Sequence, residues 1–343
     1  MARIYLPKWR EDLRILNTLQ YKQFGGLEKL SILLCNELCK EHEIYFLSDL
    51  AIRDYLSKEI KFINFSFNKN RYNPFFLKKT ANMIDEISPD ILQTHNIKEL
   101  QILNYARKFS KQKPPIVNTK HSLERKKYLN LADLVVGVSS GVYETIQVDK
   151  KILIENGYPF ITPKKLTRPD KFYITFANRI CDAKGVTLLI EALNLVKFDY
   201  ECHFFGSGDS KIYEEKVKNL GLQDKIKFKG FVKNIGDYLY SCDLNVMPSL
   251  DEAFGLSSLD GVFYAPLMIA TRRGICETIM PNELIIEENP QFIAHKLNEI
   301  HANYDKFVQI FAPIKAKKDE FSVEKMAQKY INAYENLIKD FKK

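Results

Sequence analysis

The sequence predicts an α/β fold built of two halves, each a parallel sheet covered by helices, and three observations lead there. Short apolar runs, such as residues 90–94, 134–138 and 244–246, alternate along the chain with longer runs of helical spacing. That alternation marks parallel sheets with helical crossovers. The chain has 343 residues, 45% of them hydrophobic, which exceeds the usual size of one core and supplies enough apolar material for two. Side chains suited to ligand chemistry fall just after strand-like runs, and doubly wound sheets bind beyond the carboxyl ends of their strands. The pattern divides the chain into 1–156 and 157–321, with 322–343 as a closing segment.

The elements follow in order. Two runs qualify as the first strand, Arg3-Ile4-Tyr5-Leu6 and Arg14-Ile15-Leu16-Asn17. Gly25-Gly26 opens an amphipathic helix whose apolar face is Leu27, Leu30, Leu34 and Leu38. Pro115-Ile116-Val117 reads as a strand ending at Asn118-Thr119-Lys120-His121, and Ile152-Leu153-Ile154 as one that leads through Asn156-Gly157 into the second half. There the strand Tyr173-Ile174-Thr175-Phe176 precedes a helix with Leu188, Leu189, Ala192 and Leu193. Phe204-Phe205 with the turn Gly206-Ser207-Gly208, and Lys229-Gly230-Phe231-Val232, read as the next strands. A buried strand over 243–247 then leads through Gly255 into a helix faced by Leu256, Leu259, Val262 and Phe263. The tail from Ser322 to Phe341, with Met326, Tyr330, Ala333, Tyr334 and Leu337, reads as a closing helix that returns to the first half.

Chemistry concentrates at two places in the second half. Glu252 and Asp260 lie eight positions apart, just over two helical turns, so Glu252 stands at the helix mouth and Asp260 deeper on roughly the same side. The free N–H groups and positive end of that helix suit a diphosphate, and the carboxylates can accept hydrogen bonds from sugar hydroxyls. Arg179 and Lys184 are cations five residues apart on a strand-to-helix loop, a spacing that lets both face one anion. There is no Asp-x-Asp to clamp a metal and phosphate, so metal independence is expected. Six cysteines, Cys35, Cys39, Cys181, Cys202, Cys242 and Cys276, show no paired spacing and read as free thiols of a reducing compartment.

These motifs, in this order, resemble the retaining glycosyltransferases of the GT-B fold, in particular the large family 4 group. The segment Glu252-Ala253-Phe254-Gly255-Leu256-Ser257-Ser258-Leu259-Asp260 is similar to that family's Glu, seven residues, Glu signature. It departs in having Asp260 for the second Glu and, beyond the next strand, Arg272-Arg273-Gly274 where two glycines are usual, a change expected to narrow or recharge the sugar pocket. Gly25-Gly26-Leu27-Glu28 resembles the Gly-Gly-x-Glu loop, His121 the strand-end histidine, and Arg179 with Lys184-Gly185 the Gly-Arg…Lys-Gly element. The resemblance implies two Rossmann-like parallel-sheet domains facing across a cleft, with the donor on the second domain and the acceptor entering from the first. It implies that Arg179 and Lys184 stabilise the departing diphosphate and that Glu252 orients the donor sugar. Amides around Phe254, Gly255, Leu256 and Ser257 would support sugar and phosphate, Asp260 would hold the ribose, and His121 with Gly25 and Gly26 would line the reaction centre. No cofactor is expected.

The implied activity is transfer of a hexose or N-acetylhexosamine from a nucleotide diphosphate sugar, UDP-linked by expectation, to a hydroxyl of a bacterial surface-glycan precursor. The alternative is a catalytically weak GT-B subunit that binds a nucleotide sugar and supports a partner enzyme, motivated by Asp260 and Arg272-Arg273. Charge bears on the acceptor: residues 1–150 hold 24 Lys and Arg against 17 Asp and Glu, and the remainder 27 against 26. The excess gathers at Lys69, Arg71, Lys78 and Lys79 among Phe65, Phe67, Tyr72, Phe75 and Phe76, and again from Arg107 to Lys127. A basic and aromatic surface suits anionic headgroups, so peripheral contact with the inner membrane is expected and nucleic acid is not. No run has the apolar length of a membrane span and the amino terminus lacks a signal peptide's hydrophobic core, which predicts a cytoplasmic protein.

Overall fold

A computed structural model describes residues 12–341. The chain divides into two compact units: residues up to Gly157 together with those from Val323 on, and Tyr158–Ser322. In the first unit the strands are β1 (Arg14–Thr18), β2 (Glu43–Ser48), β3 (Lys61–Asn64), β4 (Ile91–Thr94), β5 (Ile116–Lys120), β6 (Leu134–Gly137) and β7 (Lys151–Leu153). They form one sheet, ordered β3-β2-β1-β4-β5-β6-β7, with every pairing parallel. Its crossovers include α1 (Gly26–Leu38), α2 (Pro74–Ile87), α3 (Ile97–Arg107) and α4 (Ser140–Glu144).

The second unit repeats the scheme. Strands β8 (Phe172–Ala177), β9 (Tyr200–Phe205), β10 (Ile226–Gly230), β11 (Leu244–Met247), β12 (Met268–Thr271) and β13 (Ile285–Ile286) form a parallel sheet ordered β10-β9-β8-β11-β12-β13. Its helices are α5 (Val186–Leu193), α6 (Lys211–Asn219), α7 (Ile235–Ser241), α8 (Leu256–Tyr264), α9 (Cys276–Ile279), α10 (Pro290–Ala302) and α11 (Tyr304–Ala316). Tyr158 and Ser322, the unit's two ends, meet in a parallel bridge, and the Tyr158 amide donates to the Phe321 carbonyl at 2.8 Å. The two parallel α/β sheets expected from the sequence are therefore present.

Both faces of the first sheet are covered, which is why its strands read as unbroken apolar runs rather than alternating ones. Successive residues of β1 point to opposite faces. Ile15 packs with Leu34, Leu38, Ile44 and Phe46, while Leu16 packs with Leu47, Leu77, Ile84, Leu92 and Leu103. The final helix, α12 (Val323–Phe341), lies on the Ile15 face through Met326, Tyr330, Tyr334 and Leu337. Two of its tyrosines also carry polar tips into the sheet: Tyr330 and Thr119 share a hydrogen bond of 2.9 Å, and the Tyr334 hydroxyl donates to Gln93 Oε1 at 2.8 Å. A buried aromatic with a satisfied hydroxyl fixes the helix in one register.

Three expectations are refined. Of the two first-strand candidates, Arg14-Ile15-Leu16-Asn17 is the strand, and Arg3-Ile4-Tyr5-Leu6 lies outside the described residues. The run at 229–232 does not continue as a strand: Gly230, at φ +69°, ends β10 after a register shift, and Phe231 is 73% exposed. The basic and aromatic strip is also split by burial, because Phe67 is in the core with Phe65 and Phe76 packed against it, leaving Tyr72 and Phe75 outside. No helix among the described residues is long and apolar enough to cross a membrane.

Replacing Tyr334 by Phe removes the donor to Gln93 Oε1 without changing volume and is expected to lower the stability of the first unit by about 1–3 kcal/mol. Denaturant unfolding, resolved into the two units' transitions, measures it.

Candidate functional site

Each sheet reverses its strand order beside its first strand, between β1 and β4 in one unit and between β8 and β11 in the other. At such a switch point neighbouring crossovers leave on opposite faces and open a crevice at the strands' carboxyl ends. The predicted site residues fall at these two places, and each is described within its own unit.

In the second unit the loop after β8 and the loop after β11 are drawn together by backbone. Gly185, at φ +78°, sits so close to Pro248 that a Cβ would fall 2.0 Å from its carbonyl oxygen. Only glycine permits both the conformation and the approach. The Leu250 and Asp251 amides then donate to the Ala183 carbonyl, at 3.0 and 3.3 Å. Lys184, next to Gly185, is thereby carried to Glu252: its Nζ lies 2.8 Å from Glu252 Oε2 and 2.5 Å from the Asp251 carbonyl. The side chains are 7% and 16% exposed. Removing one partner would leave the other charge nearly buried and unpaired, the costly case for such pairs.

The structure separates two cations that the sequence treated alike. Lys184 is held by Glu252, whereas Arg179 is exposed and its guanidinium has no hydrogen bond or ion pair among the described residues. Arg179 is thus the cation available to an incoming anion without breaking an existing bond.

The helix mouth is shaped by a second glycine contact. Gly274, at φ +56°, lies against Phe254, whose carbonyl oxygen would be 2.3 Å from a Cβ there and accepts from the Ile275 amide at 2.7 Å. Phe254 is buried, so its ring anchors the loop. Gly255 caps α8 with no side-chain hydrogen bond, and Leu256 and Ser257, half-buried, form its first turn. Unclaimed first-turn N–H groups at a helix start favour anions. Asp260 is 8% exposed, and the Tyr158 hydroxyl donates to its Oδ1. A ribose at Asp260 would therefore share the carboxylate with Tyr158. Arg272 and Arg273, expected to narrow or recharge the sugar pocket, bond Asn282 and Glu288 at the surface.

In the first unit His121, just past β5, does not stand alone. His95, just past β4, is buried, and its Nδ1 lies 3.1 Å from His121 Nε2. Its Nε2 is 2.9 Å from Asn17 Oδ1 on β1 and 3.0 Å from Ser31 Oγ on α1. The helix opened by Gly25-Gly26 therefore reaches the histidine pair through Ser31, while Gly25 itself accepts the Lys29 amide at 3.0 Å. Burial depresses His95 well below the ordinary histidine range and brings His121 down to about 4.

Glu99 closes the network. Its carboxylate accepts from the His95 amide at 2.9 Å, the Gln20 amide at 2.5 Å, the Thr18 hydroxyl at 3.0 Å and the Asn96 side chain, joining the ends of β1 and β4 to the first turn of α3. Asn96 Oδ1 caps α3 by accepting the Glu99 amide at 3.1 Å, a reciprocal capping arrangement. Asn17, His95 and Glu99 were missed by sequence reasoning. The signal was present in His95-Asn96 directly after a strand, with Glu99 three residues beyond Asn96.

Burial raises Glu99 to about 7 against its four hydrogen-bond donors. A carboxyl whose folded value is raised contributes stability that is full below about 4.5 and is lost as pH rises through about 7. Relative to a Glu99→Gln variant, wild-type protein is expected to lose up to about 3 kcal/mol across that window. Paired melts between pH 4 and pH 8 test this, and parallel curves would refute it.

Comparison with known proteins follows the same division. Residues 24–157 match the family model for Glycosyltransferase Family 4, and residues 171–303 the model for Glycosyl transferases group 1. An uncharacterized glycosyltransferase of Methanocaldococcus jannaschii is 27% identical over 172 residues, 47% of either chain. The O-antigen biosynthesis glycosyltransferase WbnH of Escherichia coli is 27% identical over 194 residues, 56% of this chain and 54% of that one. The matches thus span about half the length of these curated relatives. Among solved structures, a glycosyltransferase from Rickettsia africae superposes with a TM-score of 0.83 at 24% identity, over 96% of this chain and 99% of that one. Anabaena HepE, solved in complex with UDP-glucose, gives 0.76 at 20% identity, over 94% and 100%. These structural likenesses establish the fold, and with a glycosyltransferase model matching in each unit, family 4 in the first and group 1 in the second, the chain is a glycosyltransferase of GT-B type.

Proposed function

We propose that this chain transfers a hexose or N-acetylhexosamine, with retention and without a metal, from a UDP-linked sugar to a hydroxyl of a bacterial surface-glycan precursor. The observation that carries the reading is the Lys184–Glu252 pair beside the uncapped start of α8, with Arg179 unpaired on the neighbouring loop. Two cations, one carboxylate and open amides match the parts of a nucleotide sugar: phosphates for the cations and N–H groups, hydroxyls for the carboxylate. HepE's complex with UDP-glucose and the O-antigen role named for WbnH support the donor and acceptor classes.

The residues then divide by task. Arg179 meets the diphosphate directly, and Lys184 follows as negative charge grows on the leaving group, its hold on Glu252 loosening. Glu252 orients the sugar, the Leu256 and Ser257 amides support the phosphates, and Asp260, steadied by Tyr158, takes the ribose. The first unit, with Gly25, Gly26 and His121, is assigned the acceptor side. No nucleophile is assigned, and attack by the acceptor on the face vacated by the leaving phosphate is consistent with retention. The excess cations of this unit, with Phe75 85% exposed and Tyr72 also outside, support peripheral contact with the anionic cytoplasmic face of the inner membrane.

A thermal-shift panel of UDP, GDP, ADP and their sugar conjugates, without added metal, tests the reading. A nucleotide at one hundred times its dissociation constant stabilises by about 2.7 kcal/mol. A rise confined to one family of conjugates supports the donor site, a flat panel counts against it, and binding without transfer unless a partner is added favours the partner-supporting subunit. Arg179→Ala and Lys184→Ala are each expected to lower turnover roughly 10- to 100-fold, as loss of a charge-assisted bond does. Steady-state rates with the donor from the panel decide, and unchanged turnover in both variants removes their role. Phe75→Ser is expected to weaken sedimentation with anionic but not zwitterionic vesicles.

A further inference from the structure

We infer that His95 is a positioning residue that holds His121 as its Nε2–H tautomer, leaving His121 Nδ1 as a bare acceptor for a hydroxyl of the carbohydrate ligand. The ligand clause rests on the function proposed above; the tautomer does not.

The argument is a count of protons along one line of hydrogen bonds. His121 Nε2, His95 Nδ1, His95 Nε2, Asn17 Oδ1, Asn17 Nδ2 and Ser31 Oγ are linked by contacts of 3.1, 2.9 and 3.1 Å, all in the buried end of the first sheet. Each neutral imidazole has one donor and one acceptor nitrogen, so the whole line must run in one direction. In the first direction His121 donates to His95, His95 to Asn17 Oδ1, and Asn17 to Ser31. In the opposite direction the Asn17 amide is turned over, Ser31 donates into the line, and His121 is left with its proton on Nδ1.

His121 Nδ1 decides between them. It is buried and has no hydrogen-bond partner among the described residues. A buried N–H without an acceptor forfeits its full desolvation cost, and orphaned N–H groups are the rarest unsatisfied groups in folded proteins. A bare nitrogen there is the milder deficit, and a ligand hydroxyl, which brings its own proton, fills it. Both rings stay neutral in this arrangement, since a charge on either would be buried beside the other. The assignment of nitrogens and of the Asn17 amide follows from this network.

His95 is suited to the task because its own position is over-determined. Glu99 accepts its backbone amide, and Asn17 and Ser31 fix the far side of its ring. Glu99 is also the ionisable group nearest in this network, and it contacts the His95 backbone rather than either ring.

The test is long-range proton–nitrogen correlation on protein labelled at its six histidines, with the His121 signal assigned by its absence from His121→Gln. At pH 7 the expected spectrum has His121 neutral with the proton on Nε2. His95→Leu is expected to release it into a mixture of tautomers, and His95→Gln, whose amide oxygen accepts from Nε2–H, to restore the single form. The signal of His42, whose Nδ1 accepts the Leu13 amide at 3.3 Å in the same unit, serves as the folding control. A proton on Nδ1, an imidazolium at pH 7, or an unaltered single tautomer in His95→Leu overturns the inference. If His95→Leu does not fold, the wild-type and His95→Gln spectra still decide. The ligand clause is tested with the methyl glycosides of glucose, galactose and their N-acetyl forms, as stand-ins for the acceptor assigned to this unit: the Nδ1 resonance is expected to shift in the direction of hydrogen-bond acceptance, and an unmoved resonance in protein shown by calorimetry to have bound a glycoside overturns that clause. Absence of calorimetric binding by all four would instead count against the acceptor reading, with the tautomer result standing.

Discussion

In a parallel sheet all strands end on the same side, and the helix that follows each strand starts there. The last carbonyls and the first amides of many elements therefore crowd one edge, where the next residue in each loop must satisfy them or leave them for a ligand. Both sheets of this chain are parallel throughout, so the constraint acts twice. In the first unit it is met from within, by Glu99 drawing the ends of β1 and β4 onto the start of α3. In the second unit Gly185 and Gly255 offer their helices no capping side chain, as Gly25 offers none to α1, and among the described residues no buried carboxylate gathers the strand ends there as Glu99 does.

That difference matters for the energetics of the two places. Glu99 and His95 are enclosed polar groups, with His121 half-buried beside them, and they are stable only because nearly every donor and acceptor has a partner. Such networks specify one arrangement of loops and resist change. The Lys184–Glu252 pair is less enclosed and joins two loops that touch chiefly through backbone. A charged pair of this kind holds its geometry while unliganded and can exchange partners with a ligand of like charge pattern.

The closing helix shows how the fold economises on polar burial. Its tyrosines fill apolar space over the sheet and at the same time supply hydroxyls to Thr119 and Gln93, polar residues that lie inside strands. Thr119 also accepts from Gln93 Nε2, so a helix from the end of the sequence completes a hydrogen-bond set spanning β4 and β5. The same strands carry His95 and His121 at their tips. Docking of α12 thus stiffens the framework from which the histidine pair projects.

Local pattern determined much of this protein. Apolar runs bounded by turn residues marked β1, β4, β6, β8 and β11, and the spacing of Leu27, Leu30, Leu34 and Leu38 marked α1, because strand and helix periods are properties of neighbouring residues. Motif order also brought Arg179, Lys184, Glu252 and His121 forward as candidates. What only tertiary structure decided is which of these side chains touch. The pairing of Lys184 with Glu252 spans 68 positions and depends on a glycine meeting a proline carbonyl. Tyr158 reaches Asp260 across 102, and His95 was invisible as a partner of His121 until β4 and β5 lay side by side. Spacing along a chain fixes the face on which a residue lies, but contacts between elements depend on strand order and loop closure, which are set by the packing of the whole sheet.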